Sequence, residues 1–287
     1  EVATLTNVAR PHLALITCIA PAHVEGLGGL DGIRAEKLTI AEGLVEGGVL
    51  FVNGDDPALV GAAVARRDVE VRSWGFGEHC ELRGREPAVT NDGVSLRLSP
   101  EGPRIEAALL GRHNLSNLLA ASVLARALGL TEDEIAAGAR QVRPTPLRME
   151  RRQVGDWLVI FDCYNANPGS MTAALDELVR QPVVGRRVAI LGDMLELGSD
   201  SEGHHRDLGR RLAGLGLDAV VFVGSAMRRA QAAAAKAGAD AANLHAFDDA
   251  RACRSDLLSL LRDRDTVLLK GSRGMVLETI FDAEIGA

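Results

Sequence analysis

This sequence has few cysteines and few lysines, and its net charge is negative. These features exclude several classes of function. The four cysteines lie far apart in 287 residues and show no Cys-x-x-Cys spacing, so neither a disulfide framework nor a zinc site is expected. This cysteine usage fits a reducing cytoplasm. The net charge of −7 offers no basic surface for nucleic acid or an anionic membrane. The longer apolar runs are interrupted by arginine or are too short to span a bilayer, so we expect no membrane insertion.

Lysine is scarce because arginine supplies nearly all of the positive charge. Of 32 basic residues, only Lys37, Lys236 and Lys270 are lysines. A lysine retained against this bias can serve chemistry that a guanidinium cannot, such as reacting as a neutral amine. Chance explains any single one of them equally well. The chain also has one tyrosine, Tyr164, which stands with two asparagines just after an apolar run.

Two domains are expected from the length and from a proline-rich break. The sequence is 47% hydrophobic and 25% charged, as in soluble globular proteins with a sizeable core, and 287 residues accommodate two domains. Residues 142–150 contain Pro144 and Pro146 and end a helical pattern. We therefore place the domains at residues 1–146 and 147–287. Neither a signal peptide nor Met opens the sequence, so we expect a fragment of a longer protein.

Both predicted domains belong to the α/β class. The first is predicted to hold a mostly parallel sheet with helices, then a β-hairpin around Asn91-Asp92-Gly93, then a helix preceded by Thr131 and Glu134 at capping-box spacing. In the second, strands alternate regularly with helical segments, which indicates a parallel, doubly wound, Rossmann-like sheet covered on both faces. The predicted strands are residues 13–20, 49–56, 69–77, 157–162, 187–191, 219–223, 244–247 and 266–270, and the predicted helices of the first domain are residues 32–44, 57–67, 117–130 and 132–142.

Polar residues cluster at four predicted strand ends, which is where parallel α/β sheets bind ligands. The clusters lie in the segments CIAPAHVEGLG, FDCYNANPGSM, ILGDMLELGSDSEGHH and LLKGSRGM. Taken singly, each has a structural explanation, because Asp162, Asn165 and Pro168 suit turns and Ser170 suits a helix N-cap. Four such clusters together indicate a shared cleft.

Two pairs of residues in the first domain suggest more specific chemistry. Asn114 and Asn117 are three residues apart on one predicted helix face, where two carboxamides could read a purine edge or could simply cap the helix. His23, as a neutral imidazole, could bind a divalent metal. The ammonium of Lys37 could share that task only after conversion to an anionic carbamate.

The motifs taken together resemble the Mur ligases. The resemblance rests on CIAPAHVEGLG, GRHNLSNLLAA, LRMERRQ, DCYNANPGSMTAAL, LGDMLELGSDSEGHHRDLG and LLKGSRGM, and it covers nearly the whole chain in order. YNANPGSM, LGDMLELG and KGSRG are similar to the members that add D-alanyl-D-alanine in peptidoglycan synthesis. The pattern His-Asn-x-x-Asn-x-x-Ala-Ala is shared more widely, including with folylpolyglutamate synthetase.

The resemblance implies a ligase that uses ATP and Mg²⁺. ATP would phosphorylate the terminal carboxylate of a UDP-N-acetylmuramoyl tripeptide, and the amine of D-alanyl-D-alanine would then displace the phosphate. The chain would contain part of the central ATPase domain and the whole Rossmann-like C-terminal domain. Its partners would be small molecules, and we expect a cytoplasmic monomer.

The resemblance also implies roles for individual residues. His23 and a carbamylated Lys37 would bind the metal, and together with Arg148 they would be catalytic. The residues implied to contact ATP are Asn114 and Asn117 at the adenine, Arg148 at the phosphates, Asp162 at the ribose, and Tyr164 and Asn165 beside it. The residues expected near the peptide or the dipeptide are Asp193, Glu196, His205, Lys270, Ser272 and Arg273.

Some features of the family do not occur in the sequence, and two alternatives stay open. We expect the phosphate-cradling loop Gly-x-x-Gly-Lys-[Ser/Thr], the UDP-sugar domain and an acidic metal ligand upstream of Glu1, and hence no ligase activity from this chain alone. Ala20 stands where glycine or a similar small residue is usual, and Leu147 stands where glycine often precedes the arginine; neither change removes a functional group. The alternatives are another ligase that adds an amino acid or polyglutamate, and a non-catalytic nucleotide-binding protein.

Overall fold

The polypeptide divides between Arg143 and Pro144 into two units, Glu1–Arg143 and Pro144–Ala287. The computed structural model describes residues 1–20, 29–182 and 184–281. Within these residues, no helix combines the length and the apolar character that a bilayer span requires. Each unit is an α/β assembly with its own buried cores, as the alternation of strand and helix patterns predicts.

The first unit contains a four-stranded parallel sheet whose strands follow one another in chain order. Successive residues of its second strand point to opposite faces, so Leu50 and Val52 enter one core and Phe51 enters another. Both faces of the sheet are therefore covered. The strands are β1 (Leu13–Ile16), β2 (Val49–Asn53), β3 (Glu70–Gly75) and β4 (Leu82–Arg83). The helices that precede or connect them are α1 (Val2–Ala9), α2 (Leu30–Leu38), which continues as a 3-10 helix over Thr39–Gly43, and α3 (Pro57–Val64).

A second, antiparallel sheet in this unit confirms the predicted hairpin. Its strands are β5 (Arg85–Val89), β6 (Val94–Arg97) and β7 (Ile105–Ala107), in that order. The turn at Asn91-Asp92-Gly93 is closed by a hydrogen bond of 2.8 Å from Thr90 N–H to Gly93 O. The short strands β4 and β7 have no counterpart in the sequence prediction, because two to three residues are too few to show a period. Helix α1 was not predicted either.

Two helices complete the first unit, and only one of them starts where the sequence predicts. Helix α5 (Glu132–Ala139) begins with the expected capping box between Thr131 and Glu134. Helix α4 (Arg112–Ala127) begins at Arg112 rather than at residue 117, so the predicted start is wrong. The chain turns at Gly111, where φ is 93°, a backbone conformation that favours glycine. Buried Leu115 then anchors a first turn that is otherwise polar.

The second unit contains a six-stranded sheet in the order β12-β11-β10-β13-β9-β8. Five strands are parallel, and β8 pairs antiparallel with β9 at one edge. Its strands are β8 (Glu150–Val154), β9 (Trp157–Asp162), β10 (Arg187–Gly192), β11 (Ala219–Val223), β12 (Leu244–Phe247) and β13 (Thr266–Lys270). Its helices are α6 (Pro168–Arg180), α7 (Ser201–Leu212), α8 (Met227–Lys236) and α9 (Ala250–Leu260).

Helices cover both faces of this sheet, which confirms the doubly wound prediction. Cys253 and Leu257 of α9 pack with Phe161 and Val267 in one core. The alternate strand residues, such as Ile160 and Leu268, are also fully buried and face the side that carries α6, α7 and α8. Strand β13 is also followed by helical segments, as predicted, and these are two 3-10 helices, Arg273–Met275 and Leu277–Phe281. The chain breaks between them at Val276, where φ is 45°.

Candidate functional site

The carboxyl ends of β9 and β13 bring Asp162 and Lys270 together. The two residues are partners in the register of the parallel pair. The Lys270 side chain is only 1% exposed, and its ammonium donates to Asp162 Oδ2 at 2.7 Å, to Asn165 O at 3.0 Å and to Asp162 O at 3.3 Å. The other carboxylate oxygen of Asp162 accepts from Met149 N–H at 3.1 Å. Three donors therefore meet three acceptors, and the ammonium is fully satisfied inside the protein.

Asp193 follows the next strand of the sheet, β10, and is also directed inward. Its carboxylate accepts from Met227 N–H at 2.7 Å and from Ala226 N–H at 3.2 Å. These are backbone donors at the start of α8, which would otherwise lack partners. Asp193 therefore caps a helix from a neighbouring strand end, and only 7% of its surface is exposed.

His205 and Ser272 tie together the loops at this edge of the sheet. His205 is fully buried, and its Nε2 accepts from Met194 N–H at 3.1 Å. Its Nδ1–H then donates to Ser201 O at 2.7 Å, so both ring nitrogens are occupied. The Ser272 hydroxyl accepts from Leu195 N–H at 2.9 Å and lies 3.5 Å from Ala166 O.

The other predicted residues of the second unit face outward. Tyr164 is 46% exposed, and the Arg148 guanidinium lies 4.2 Å from the centre of its ring. Asn165 is exposed, and its side-chain oxygen accepts from Ala166 N–H at 2.8 Å. Glu196 and Arg273 are exposed as well. The predicted residues thus form an inner set, which are Asp162, Asp193, His205, Lys270 and Ser272, and an outer set, which are Arg148, Tyr164, Asn165, Glu196 and Arg273.

Glu278 stands beside this edge and was not anticipated from the sequence. Its carboxylate forms an ion pair with Arg273 and lies 3.8 Å from the buried Cys163 thiol. Burial, together with this carboxylate, raises the pKa of Cys163 to about 12. A glutamate in a predicted helical segment carries no sequence signal that separates it from a solvent-exposed one.

The first unit contains four of the predicted residues, which are His23, Lys37, Asn114 and Asn117. Asn114 is half-buried in the first turn of α4, where its amide donates to Leu110 O at 2.7 Å. The exposed Asn117 donates to Asn114 Oδ1 at 3.0 Å. The Lys37 ammonium donates to Cys18 O at 2.8 Å. His23 lies outside the described residues.

A further group in this unit was missed by sequence reasoning. Asp55, His79 and Cys80 have potential ligand atoms within 4.8 Å of one another. The expectation of no zinc site rested on the spacing of cysteines alone, and a mixed set of ligands from two separate loops escapes that criterion. The available signal was the adjacent His79-Cys80 just after a predicted strand.

The sequence matches two family models that together span most of its length. Residues 1–125 match the Mur ligase middle domain, and residues 147–273 match the Mur ligase, glutamate ligase domain. The UDP-N-acetylmuramoyl-tripeptide--D-alanyl-D-alanine ligase of Escherichia coli is 33% identical over 293 residues, covering 99% of this chain and 62% of that protein. The ligase of the same name from Bacillus subtilis is 31% identical, covering 98% of this chain and 60% of its own length.

Solved structures give the same result. MurF from Acinetobacter baumannii superposes with a TM-score of 0.86 at 31% identity, covering all of this chain and 62% of the solved chain. MurF ligase from Thermotoga maritima, solved in complex with ADP, shares the fold with a TM-score of 0.81 at 23% identity, over 99% of this chain and 64% of its own. The chain thus spans about three fifths of the proteins that it matches. It belongs to the Mur ligase family, and its two matched regions are the middle domain and the glutamate ligase domain of that family.

Proposed function

We propose that this chain is part of an ATP-dependent ligase that joins D-alanyl-D-alanine to a UDP-N-acetylmuramoyl tripeptide. The observation that carries the proposal is the match over 99% of the chain to a ligase of that specificity at 33% identity. Because the chain covers 62% of that relative, the activity is proposed for the gene product that contains it. The proposal includes a cytoplasmic location, a monomeric state and small-molecule partners.

The reaction must make a carboxylate, which is a poor electrophile, reactive toward an amine. A carboxylate does not react readily with an amine, because its leaving group would be an oxide. Transfer of the γ-phosphoryl group of ATP to the tripeptide carboxylate gives ADP and an acyl phosphate. The dipeptide amine then attacks the acyl carbon, the amide bond forms, the carbon–oxygen bond to phosphate breaks, and the amine gives up a proton.

The outer set of residues in the second unit is suited to contact ligands. We assign Arg148 to the nucleotide phosphates, because a guanidinium offers a fork of donors for phosphate oxygens. The Tyr164 ring stacks against the Arg148 guanidinium and would keep that group in a fixed orientation. The two amides of Asn114 and Asn117, already joined by a hydrogen bond, suit adenine. Glu196 and Arg273 suit the charged ends of the peptide substrates.

The inner set is suited to positioning. Lys270 holds Asp162 and the carbonyl of Asn165, so it would fix the loop that carries Tyr164. Asp162, with 16% of its side chain exposed, can still accept from a ribose hydroxyl through a remaining lone pair. We propose that Asp193, His205, Lys270 and Ser272 hold the loops at the carboxyl edge of the sheet in position. This role replaces the direct peptide contacts that the family resemblance implied.

Mg²⁺ is part of the proposal through Lys37 and His23. In the described structure the Lys37 ammonium donates to Cys18 O. A protonated amine has no lone pair, so Lys37 fits a Mg²⁺ site only as an anionic carbamate, which supplies the oxygen ligands that this ion prefers. When bound, the ion would neutralise charge on the phosphates.

The activity is tested by phosphate release from ATP by the gene product that carries this chain. We expect release to require both the UDP-N-acetylmuramoyl tripeptide and D-alanyl-D-alanine. Glutamate and free diamino acids, supplied with the matching shorter acceptors, serve as competing amine substrates. A clear preference for one of these amines would overturn the assigned specificity, and no release with any of them would overturn the ligase proposal.

Replacing Arg148 by lysine should raise the KM for ATP about 10- to 100-fold, the effect of losing about 1.5–3 kcal/mol of charge-assisted hydrogen bonding. The KM for D-alanyl-D-alanine should change much less, because the substitution does not touch the dipeptide. Arg254→Lys, on the exposed face of α9, is the matched control and should leave both constants unchanged. Steady-state kinetics with each substrate varied separately gives the comparison. Equal increases in the two KM values would contradict the assignment of Arg148 to the nucleotide phosphates.

A further inference from the structure

Asp55, His79 and Cys80 form a mixed cluster at the ends of two neighbouring parallel strands in the first unit. Asp55 lies in the turn between β2 and α3, and His79 and Cys80 lie between β3 and β4. Their potential ligand atoms all lie within 4.8 Å of one another, and the Cys80 sulfur is 3.8 Å from Asp55 Oδ1. A tetrahedral zinc ion with bonds of about 2.0–2.3 Å holds its ligands roughly 3.3–3.8 Å apart. The cluster is therefore close to the size that such an ion requires.

The Asp55 and His79 side chains are already oriented by bonds that leave a lone pair free. Asp55 Oδ2 accepts from Phe76 N–H and keeps a second lone pair, whereas Oδ1 accepts from Gly77 N–H and from the Cys80 thiol, the two N–H bonds measuring 2.8 Å each. Loss of the thiol proton on metal binding would free the second lone pair of Oδ1. His79 Nε2 lies 2.8 Å from Gly54 O. A carbonyl only accepts, so Nε2 carries the proton and Nδ1 has a free lone pair. Metal-bound histidines typically donate their other ring N–H to a carbonyl in this way.

Two glycines bring the backbone so close to the cluster that any side chain there would clash with the candidate ligands. A Cβ atom at Gly75 would lie 2.8 Å from both the Cys80 sulfur and Asp55 Oδ2. A Cβ atom at Gly77 would lie 2.8 Å from His79 Nδ1 and 3.0 Å from Asp55 Oδ1. Glycine at both positions keeps the three ligands facing one another. Cys80 also borders a cavity of about 220 Å³.

We propose that Asp55, His79 and Cys80 bind a zinc ion, with water as the fourth ligand. Nitrogen, sulfur and carboxylate oxygen are the donors that zinc prefers, and Mg²⁺ does not accept a thiolate of this kind. On binding, the Cys80 thiol releases its proton and a sulfur–zinc bond forms. The ion would fasten the turn after β2 to the connection between β3 and β4. This site is separate from the residues assigned to the ligase reaction and does not depend on that proposal.

Cobalt titration of the metal-free full chain tests the site, because Co²⁺ replaces zinc in tetrahedral sites and has visible spectra. We expect one equivalent to produce a thiolate-to-cobalt charge-transfer band, and Zn²⁺ to abolish the band by displacement. Cys80→Ser should remove the band. His79→Gln, at an exposed position, should weaken Co²⁺ binding by more than the roughly 10- to 100-fold that loss of an outer partner costs.

Cys18→Ser is the matched control, since Cys18 is an exposed thiol in the same unit near Lys37. This variant should retain the band and the affinity. Circular dichroism verifies that each variant is folded before titration. The proposal is overturned by the absence of a charge-transfer band in the folded wild-type chain. It is equally overturned by a band that survives Cys80→Ser or that disappears with Cys18→Ser.

Discussion

Lys270 places an ammonium where almost no water reaches it, at the carboxyl end of β13. Such a group is stable only because Asp162 and two backbone carbonyls surround it. The sequence identified Lys270 and Asp162 as candidate site residues from their positions after apolar runs. It could not reveal that they bond each other, because they are separated by 108 positions and their pairing depends on the register of β9 against β13.

Lys270→Met should destabilise the second unit by about 3–5 kcal/mol, because it leaves the Asp162 carboxylate without its buried partner. Lys236→Met is the matched control: Lys236 is exposed at the end of α8, so its replacement should change stability by less than about 0.5 kcal/mol. Hydrogen exchange of peptides from β9 and β13 measures the difference. Equal protection in the two variants would show that the buried ion pair does not stabilise this edge.

Two buried thiols should make the second unit less stable at alkaline pH. Burial raises the pKa of Cys253 from its ordinary value of 9.0 to about 12, and Cys163 has a similar value. Below pH 9 the thiol is protonated in both the folded and the unfolded chain. Between pH 9 and pH 12 the unfolded chain releases a proton that the folded chain retains. Stability should therefore fall as pH rises, by about 1.4 kcal/mol per pH unit for each thiol.

Cys253→Ala should reduce this alkaline loss of stability. Urea unfolding at about pH 8 and about pH 10.5, followed by circular dichroism, gives the difference between the two conditions for each protein. Cys18→Ala, which removes an exposed thiol, should behave as the wild type does. An identical pH response in Cys253→Ala and the wild type would contradict the assignment.

At the scale of elements, the packing of α7 against α8 depends on one position without a side chain. A Cβ atom at Gly209 of α7 would lie 2.1 Å from Ala230 O of α8, which no side chain can accommodate without a shift of backbone. On the same helix, a Cβ atom at Gly203 would have no atom within 4 Å. The two glycines therefore differ in environment although the sequence gives no means of telling them apart.

Gly209→Ala should destabilise the second unit by about 1–3 kcal/mol through overpacking. Gly203→Ala should instead stabilise it by about 0.5–1 kcal/mol, because alanine loses less backbone entropy than glycine in a helix. Urea unfolding of the two variants beside the wild type tests the opposite signs. If both substitutions stabilised the unit, the close packing of α7 against α8 at Gly209 would not contribute to its stability.

The longer elements could be predicted from the sequence, and the edge elements could not. The strands β9, β10, β11 and β13 are continuous apolar runs, which fixes both their type and their burial. Strand β8, with the sequence ERRQV, has no such pattern and is extended because β9 pairs with it across the turn at Gly155. Likewise, the ends of the predicted strands led to the candidate residues Asp162, Asp193 and Lys270, whereas the long-range hydrogen bonds that turn these side chains inward could not be predicted from the sequence.

At the scale of the whole molecule, the hydrophobic cores formed by the described residues each draw on one unit. The core on the α9 side of the second unit is built from residues after Pro144, and the two cores described for the first unit are built from residues before Arg143. Such units are expected to fold independently of each other.

Residues 144–287 expressed alone should therefore fold cooperatively, with the near-ultraviolet signal of an ordered environment around Trp157, which packs edge-on against Phe281. Hydrogen exchange of β13 should match that in the full chain. Residues 1–143 provide the companion fragment, in which Trp74 is 1% exposed. A fragment with secondary structure but no ordered aromatic signal would refute independent folding.

The inward-facing polar residues at the carboxyl edge also affect how mutational surveys of this protein should be interpreted. A growth-based scan would score losses at Asp193, His205 and Ser272 as heavily as losses at the proposed ligand contacts, although none of the three exposes more than a tenth of its surface. Inhibitor design guided by such a scan would aim at groups that a small molecule cannot reach. The groups at this edge that a small molecule can reach are fewer, and they include the stacked pair Arg148 and Tyr164.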